Sequence, residues 1–450
     1  MNHLCSKSSY LIRRFGAIGF LCVISFYSNA QFKNIKVDEG SDGKRAAEPS
    51  IAINPGNLKN VVVATSDGTI NYSFDSGQTW EKTKLTSPLG VYGDPVLVSD
   101  DKGTMYCLHL SDASGEGLKN EKSLDQIICH ISKDGGKTWE EGAPVGSNAQ
   151  KDQVKPWAAV DSKGNLYVTW TQFDKYNSSD AACKSTVLIS SSSNGKKWSK
   201  PVVLTQNPGA CIDDQKAPSV AFPTIAVDSK MYVAWSTQDK IYIDRSFDGG
   251  GVWLFNDITA IDWVGGWNVK IPGLARDNEF PTLLVDRSKG EYRGVLYLSW
   301  ADMRSGKNDT DVWVSRSHTY GDQWATPTKM GDDKSGKHQF QPRMAIDQST
   351  GFVYIVYYDR NGYDDNQTDV YLAYTSDSGA NFKNVKISET PFVADDNATF
   401  GNYISISASN GVIMPVWVRT DGGKTSVWTA VIKQDDIITP AAPAKGKKKK

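Results

Sequence analysis

Short apolar runs opened by proline recur along this chain at intervals of about forty to seventy residues. They read Glu48-Pro-Ser-Ile-Ala-Ile53, Asp94-Pro-Val-Leu-Val98, Lys155-Pro-Trp-Ala-Ala-Val160, Phe222-Pro-Thr-Ile-Ala-Val227, Phe280-Pro-Thr-Leu-Leu-Val285 and Gln341-Pro-Arg-Met-Ala-Ile346. A seventh, Gly401-Asn-Tyr-Ile-Ser-Ile406, keeps the apolar positions without the proline. Each leads into a run of alternating character, such as Leu166-Tyr-Val-Thr-Trp170 or Met231-Tyr-Val-Ala-Trp235, which is the period of a strand. No stretch carries a long helical period.

A second repeat lies between these runs. Ser73-Phe-Asp75-Ser-Gly77-Gln-Thr-Trp80, Ser132-Lys-Asp134-Gly-Gly136-Lys-Thr-Trp139 and Ser246-Phe-Asp248-Gly-Gly250-Gly-Val-Trp253 follow S-x-D-x-G-x-[TV]-W, and degenerate copies end at Trp198, Trp324 and Phe382. Asp and Gly supply the local hydrogen bonds and positive φ of a hairpin turn, and the tryptophan can fold back to bury its ring. The motif therefore reads as a structural staple between a third and a fourth strand. Four antiparallel strands repeated radially make propeller blades. The expectation is an all-β chain forming a single β-propeller, with seven blades preferred and six as the fallback. The last unit has three clear strands, and Phe32–Val37 is expected to supply its fourth.

The turn motif resembles the Asp-box of the sialidase-like (BNR-repeat) propellers. Gly93-Asp-Pro, Trp170-Thr-Gln-Phe-Asp174, Gly265-Gly-Trp-Asn-Val-Lys-Ile-Pro-Gly273, Asp309-Thr-Asp-Val-Trp313 and Tyr358-Asp-Arg360 are most similar to secreted Bacteroidetes proteins labelled exo-α-sialidases. The resemblance implies a glycoside hydrolase acting on acidic sugar termini. It would use arginines for a carboxylate (Arg276, Arg304, Arg343), Tyr403 as nucleophile, Asp67 as acid/base and Asp94 on the sugar. Ala47-Glu48-Pro49 stands where that family opens its first blade with Arg-Ile-Pro, and Val220-Ala-Phe-Pro223 lacks the expected glutamate.

Strand order sorts the loops. If the tryptophan turns occupy one face, strand 2–3 loops and blade-to-blade loops share the other. That face should gather Glu48, Trp157, Asp174, Tyr176, Trp267, Asp359 and Arg360 as substrate contacts, beside the seven catalytic candidates Asp67, Asp94, His109, Arg276, Arg304, Arg343 and Tyr403. Two other functions fit the same loops. A polysaccharide lyase on uronate polymers would use His109 as base, Tyr176 or Tyr403 as acid and an arginine to neutralise the carboxylate. A non-catalytic propeller would stack sugars on Trp157, Tyr176 and Trp267. No cofactor is required; a structural Ca²⁺ at Asp309 and Asp311 is the one metal considered.

Charge and targeting narrow the class. The formal net charge is −1, with 50 basic and 51 acidic residues among 450. Setting aside Lys7, Arg13, Arg14, Lys445 and Lys447–Lys450 leaves 42 basic against 51 acidic residues, about −9 for the folded body, so a basic nucleic-acid surface is not expected. Arg13-Arg14, the apolar run from Phe15 to Tyr27 and Ser28-Asn-Ala30 read as a secretory signal cleaved before Gln31, with no transmembrane segment. Residues 31–438 would form the propeller and 439–450 a Pro/Ala/Lys tail; a secreted monomer is expected. Export permits disulfides. Cys183 and Cys211, in consecutive loops placed on one face, are the first pairing expected. Cys107 and Cys129 on neighbouring strands could pair or remain thiols.

Overall fold

In a computed structural model the described residues run from 31 to 438, apart from 41–45, 116–123, 213–216, 226–228, 238, 267–268, 275–278, 332–335 and 395–399. The expected signal sequence and tail lie outside them. Seven antiparallel sheets follow one another along the chain. The first pairs Ser50–Ile53, Val61–Ala64, Thr69–Ser73 and Glu81–Lys84 in that order. Five more repeat the wiring, opened by Tyr92–Ser99, Asp152–Val160, Ser219–Ile225, Thr282–Val285 and Gln339–Ile346. These are the proline-opened runs.

The seventh blade takes Ser405–Ser409, Val412–Asp421 and Lys424–Ala430 from the end of the chain, and Asn34–Asp38 from its beginning as the outer strand. Closure by the N-terminal segment was legible in the missing strand of the last repeat. The registry of that join is fixed by pairs such as Asn34 with Ala430 and Lys36 with Trp428. The short helix Gln434–Ile438 ends the described chain.

The core lies between blades. Ala52, Val62 and Ile70 of the first blade pack with Leu97, Met105 and Cys107 of the second; Val187 and Ile189 of the third pack with Met231, Val233 and Trp235 of the fourth. Each sheet is sandwiched between two neighbours, so its middle strands are buried on both faces. Met105–Leu110 and Val353–Asp359 are buried at every position. The strands whose period alternates in sequence are thus buried on both faces, because a blade has no solvent face except at its outer strand.

The turns of this repeat, closed by tryptophan in five blades and by Phe382 in the sixth, join third and fourth strands in six blades, as expected. Within one, Ser73 Oγ and Thr79 Oγ1 donate to the two carboxylate oxygens of Asp75 at 2.7 and 2.6 Å. Trp139 Nε1, in the next, closes on Gly136 O at 3.0 Å. Gly136 needs both its φ of 95° and its missing side chain: a Cβ there would stand 2.8 Å from Val62 of the preceding blade. Asn60 Nδ2 donates to Gly135 O across the same seam at 2.9 Å. Each turn thus pins its own hairpin and the neighbouring blade.

Cys183 and Cys211 form a disulfide; Cys107 and Cys129 are buried free thiols. The last two belong to different interblade cores, with Cys107 facing the first blade and Cys129 the third. Adjacent strands therefore give them no approach to each other.

Candidate functional site

The face opposite the tryptophan turns is organised by the first residue of four of the six proline-opened runs. Glu48, Asp94, Lys155 and Gln341 precede Pro49, Pro95, Pro156 and Pro342, and adopt φ of 50°, 46°, 57° and 51°. Left-handed backbone is costly for a residue with a side chain and disfavoured further before proline. Four repetitions of it at one level of the ring are a built feature. The strand register shifts at this level in the second, third and sixth blades, between Tyr92 and Val96, Val154 and Trp157, and Phe340 and Arg343.

Side chains of one blade cap the backbone of the next. Lys155 N donates to Asp94 Oδ2 at 3.2 Å, and Gln341 N donates to both oxygens of Glu279 at 3.0 Å. Gln341 Nε2 donates to Gly401 O at 3.0 Å, and Asn402 Nδ2 donates to Glu48 Oε1 at 2.5 Å. The backbone of Asp94 also hydrogen-bonds the Glu48 carboxyl. A belt of polar links thereby joins blades 5, 6, 7, 1, 2 and 3 around the mouth.

Glu48 is 9% exposed. Burial first, and the charge of Asp94 second, push its carboxyl up to about 7 against the pull of the Asn402 and Asp94 hydrogen bonds. Tyr92 stands in the same field, and its phenol is raised by burial and then by Asp94, Asp112 and Glu48. The mouth holds a proton near neutrality at a carboxyl beside a second carboxylate.

Beneath the belt, five successive blades each send one side chain to the axis. Trp157, Phe222, Phe280 and Tyr403 surround Arg343, whose guanidinium carbon lies 5.4, 5.3, 5.3 and 5.5 Å from their ring centres. Trp157 and Phe222 are 4.2 Å apart, and Tyr403 donates its hydroxyl to Pro95 O at 3.0 Å. Three of the residues singled out from the sequence, Trp157, Arg343 and Tyr403, are therefore together, but as a closed floor. Tyr403 is 5% exposed, and burial raises its phenol well above the ordinary value.

The other candidates are dispersed. Asp67 sits in a strand 2–3 loop bound by Lys84, Thr65 and Thr69, with Lys84 Nζ at 3.0 Å. Arg304 clasps Asp302 through Nε and Nη2 and lies over Trp300 and Trp313. Arg360 is buried over Phe340 and donates to Thr368, Asn366 and the carbonyl of Pro272; Asp359 accepts from Gln339. Asp174 pairs with Lys151 and caps Lys184 N, while Tyr176 rests edge-on against Phe173. Arg276 and Trp267 lie outside the described residues.

His109, expected to face the funnel, is instead enclosed in the second blade. Its Nδ1 meets Leu110 O at 2.8 Å and its Nε2 meets His130 Nε2 at 3.0 Å, so neither nitrogen is left for a ligand. Burial, and then the neighbouring imidazole, lower its pKa to about 3. Asp311 accepts from Lys329 at 3.3 Å. No group of three or more His, Cys, Asp or Glu among the described residues is placed to hold a metal ion.

Sequence reasoning missed Lys155, Gln341, Phe222 and Phe280 as members of the axial layers. The signal is their position beside a repeated proline, which by itself marks only the start of a strand.

No family model matches this chain, and no curated protein matches it in sequence. Solved structures do share its architecture. The polysaccharide lyase Uly1 superposes with a TM-score of 0.50 at 12% identity, over 87% of this chain and 91% of its own. An α-L-arabinofuranosidase of Fusarium graminearum, Arb93A, gives 0.49 at 12% identity over 91% and 99%. A protein of unknown function from Dyadobacter fermentans gives 0.47 at 12% identity over 89% and 97%. At these identities the likeness is one of fold: a seven-bladed propeller of four-stranded sheets.

Proposed function

We propose that this protein is a glycan-acting propeller that hydrolyses glycosidic bonds at its belted mouth, with Glu48 and Asp94 as the working carboxyls. The observation that carries the reading is the pairing itself. One carboxyl, Glu48, keeps its proton to about pH 7 because it is buried beside the other. Acid/base cleavage of an acetal needs a carboxyl that donates its proton to the leaving oxygen and a carboxylate beside the oxocarbenium-like centre; water adds to that centre as the glycosidic bond breaks, and its proton returns to the carboxyl that acted as acid. The αL backbone fixes where both side chains point, and the belt holds them there. A glycan substrate is also in keeping with the fold shared with Uly1, a polysaccharide lyase.

Two features favour a neutral sugar over the acidic terminus expected from the sequence. Arg304, Arg343 and Arg360 are each engaged elsewhere and do not converge on the mouth. The Asp94 carboxylate at the mouth would repel a sialic acid or uronate carboxylate. Elimination is disfavoured by the enclosure of His109 and, among the described residues, by the engagement of these three arginines elsewhere. The 1–30 segment, read as an export signal, would put the enzyme outside the cytoplasm with polymeric glycans.

Incubation with neutral and acidic oligosaccharides, followed by reducing-end assay and ultraviolet absorbance, tests the reading. Released neutral sugar without a new conjugated double bond is expected. Glu48→Gln keeps an oxygen for the Asp94 and Asn402 hydrogen bonds and should lower kcat at least a hundredfold with KM little changed. Full activity in that variant, or an unsaturated product, would refute it.

A further inference from the structure

Two residues before each turn motif, the third strand carries a side chain whose chemistry changes in one blade. In the second, third and fifth blades it is a donor to the carbonyl that follows the tryptophan. His130 Nδ1 lies 3.0 Å from Glu140 O, Ser190 Oγ donates to Ser199 O at 2.8 Å, and Ser315 Oγ to Ala325 O at 2.6 Å. In the same three blades the amide after the tryptophan closes on a strand carbonyl, of Ile131, Ser191 or Arg316. The fourth blade has Asp244 in this place. Leu254 N turns to Asp244 Oδ1 at 3.0 Å, and Arg245 N donates to that oxygen at 2.6 Å. Asp244 is 0% exposed, and its Oδ2 has no hydrogen-bond partner among the described residues.

A second carboxyl stands opposite. Tyr242 pairs with Thr259 and Ile243 with Ile258 across the third and fourth strands, and one more step of that register sets Asp257 against Asp244. Residues directly opposite share a face, with Cβ atoms about 5 Å apart. Asp257 Oδ2 accepts from Gln206 N at 3.1 Å, while its Oδ1 is buried and unpartnered among the described residues. Val233, the other strand neighbour of Asp244, packs with Val187, Ile189 and Leu204 of the third blade. The two carboxyls therefore lie in the seam between blades 3 and 4. Gln206 crosses that seam from the third blade, and its Nε2 also donates to Leu254 O at 3.2 Å.

Charge decides what the two bare oxygens hold. Arg245 is the cation that acts on Asp244, but it projects from the other face of the sheet, where Nη1 pairs with Asp322 at 2.9 Å and donates to Tyr320 O at 2.7 Å. The remaining titratable side chains of this core are the phenols of Tyr167 and Tyr242. Two facing carboxylates in such a seam repel and are poorly solvated. A metal ion needs four or more ligands; a proton needs two oxygens. Burial raises Asp244 to about 7, with the charge of Asp257 adding to it against the Leu254 and Arg245 hydrogen bonds, and burial raises Asp257 as well.

We propose that Asp244 and Asp257 share one proton, Asp244 Oδ2–H donating to Asp257 Oδ1, and that this bond is a pH-sensitive latch between blades 3 and 4. The proton holds Asp257, the less buried partner, where it receives Gln206 N. The pair binds its proton more tightly folded than unfolded, so the latch is complete below about pH 4 and is lost as pH rises through about 7. Infrared spectroscopy and hydrogen exchange on the full chain test this, in Glu48→Gln so that the mouth carboxyl does not titrate. Between about pH 5.5 and 8.5 a protonated-carboxyl band should disappear, and exchange of the Gln206 segment, corrected for its intrinsic pH dependence, should quicken about tenfold. Asp244→Asn sets a permanent donor against Asp257 and keeps an oxygen for Leu254 N and Arg245 N, so it should remove both changes. Asp257→Asn gives Asp244 a permanent donor and should remove them too, which keeps the test decisive if the first variant does not fold. A missing band at about pH 5.5, exchange indifferent to pH, or a response that survives these substitutions would overturn the assignment.

Discussion

The two faces of this propeller use the same carboxyl chemistry in opposite ways. On the turn face, Asp75 is exposed and Asp377 half-buried, and both are ringed by donors from their own hairpins. Asp75 is held down to about 2, chiefly by Thr79, and Asp377 to about 2 by the Asn381 and Thr375 hydrogen bonds against some burial. At the mouth, Glu48 is raised to about 7 because burial and Asp94 outweigh the donors it has. Donors within four residues along the chain stabilise charge cheaply; donors borrowed from another blade come with burial and with that blade's own charges. The turn face is thus a set of local staples, and the mouth stores strain and a proton.

Breaking a staple should cost more stability than altering the mouth conservatively. Gly136→Ala adds a Cβ at φ 95° against Val62 and should cost about 2–4 kcal/mol in chemical unfolding. Glu48→Ala removes the acceptor of the Asn402 and Asp94 donors and should cost about 1–3 kcal/mol, whereas Glu48→Gln should cost less than Glu48→Ala. Thr79→Val, which takes one exposed donor from Asp75, should cost about 1 kcal/mol or less.

Titration sharpens the contrast because the signs differ. Glu48 binds its proton more tightly folded than unfolded, so its contribution is present below about pH 4.5 and fades as pH rises through about 7. His109 is depressed to about 3 from 6.5, so its contribution is present above 6.5 and lost as pH falls toward 3. The loss is about 1.4 kcal/mol per pH unit in that window. Urea midpoints measured against pH should show the acid-side loss diminished in His109→Gln and the neutral-side loss diminished in Glu48→Gln. Unchanged slopes would mean that neither group is perturbed.

The repeats made most of the architecture readable in advance. Seven strand openings against six Asp-Gly type turns, five closed by tryptophan and one by Phe382, implied seven blades, and the unpaired last unit implied a join to Phe32–Val37; the paired strands bear this out. Periodicity could carry this because every blade repeats the same local hydrogen bonding. The site was less legible. Charged residues in strand-end loops looked equivalent by position, yet Arg304 folds back on a carboxylate two residues away while Arg343 points to the axis. Which neighbour a long side chain finds is decided by the adjacent blade, and no local pattern records that.

Residue order alone determined the strand periods, the turn chemistry, the number of blades and the means of closing the ring, all of which rest on contacts within a hairpin or between identical repeats. Tertiary structure decided that four of the six pre-proline residues would turn left-handed, that side chains such as those of Asp94 and Gln341 would cap the next blade, and that one arginine would be caged at the axis. Those outcomes depend on seven strands meeting at one line, where space, charge and hydrogen bonds are shared among residues up to 355 positions apart in the chain.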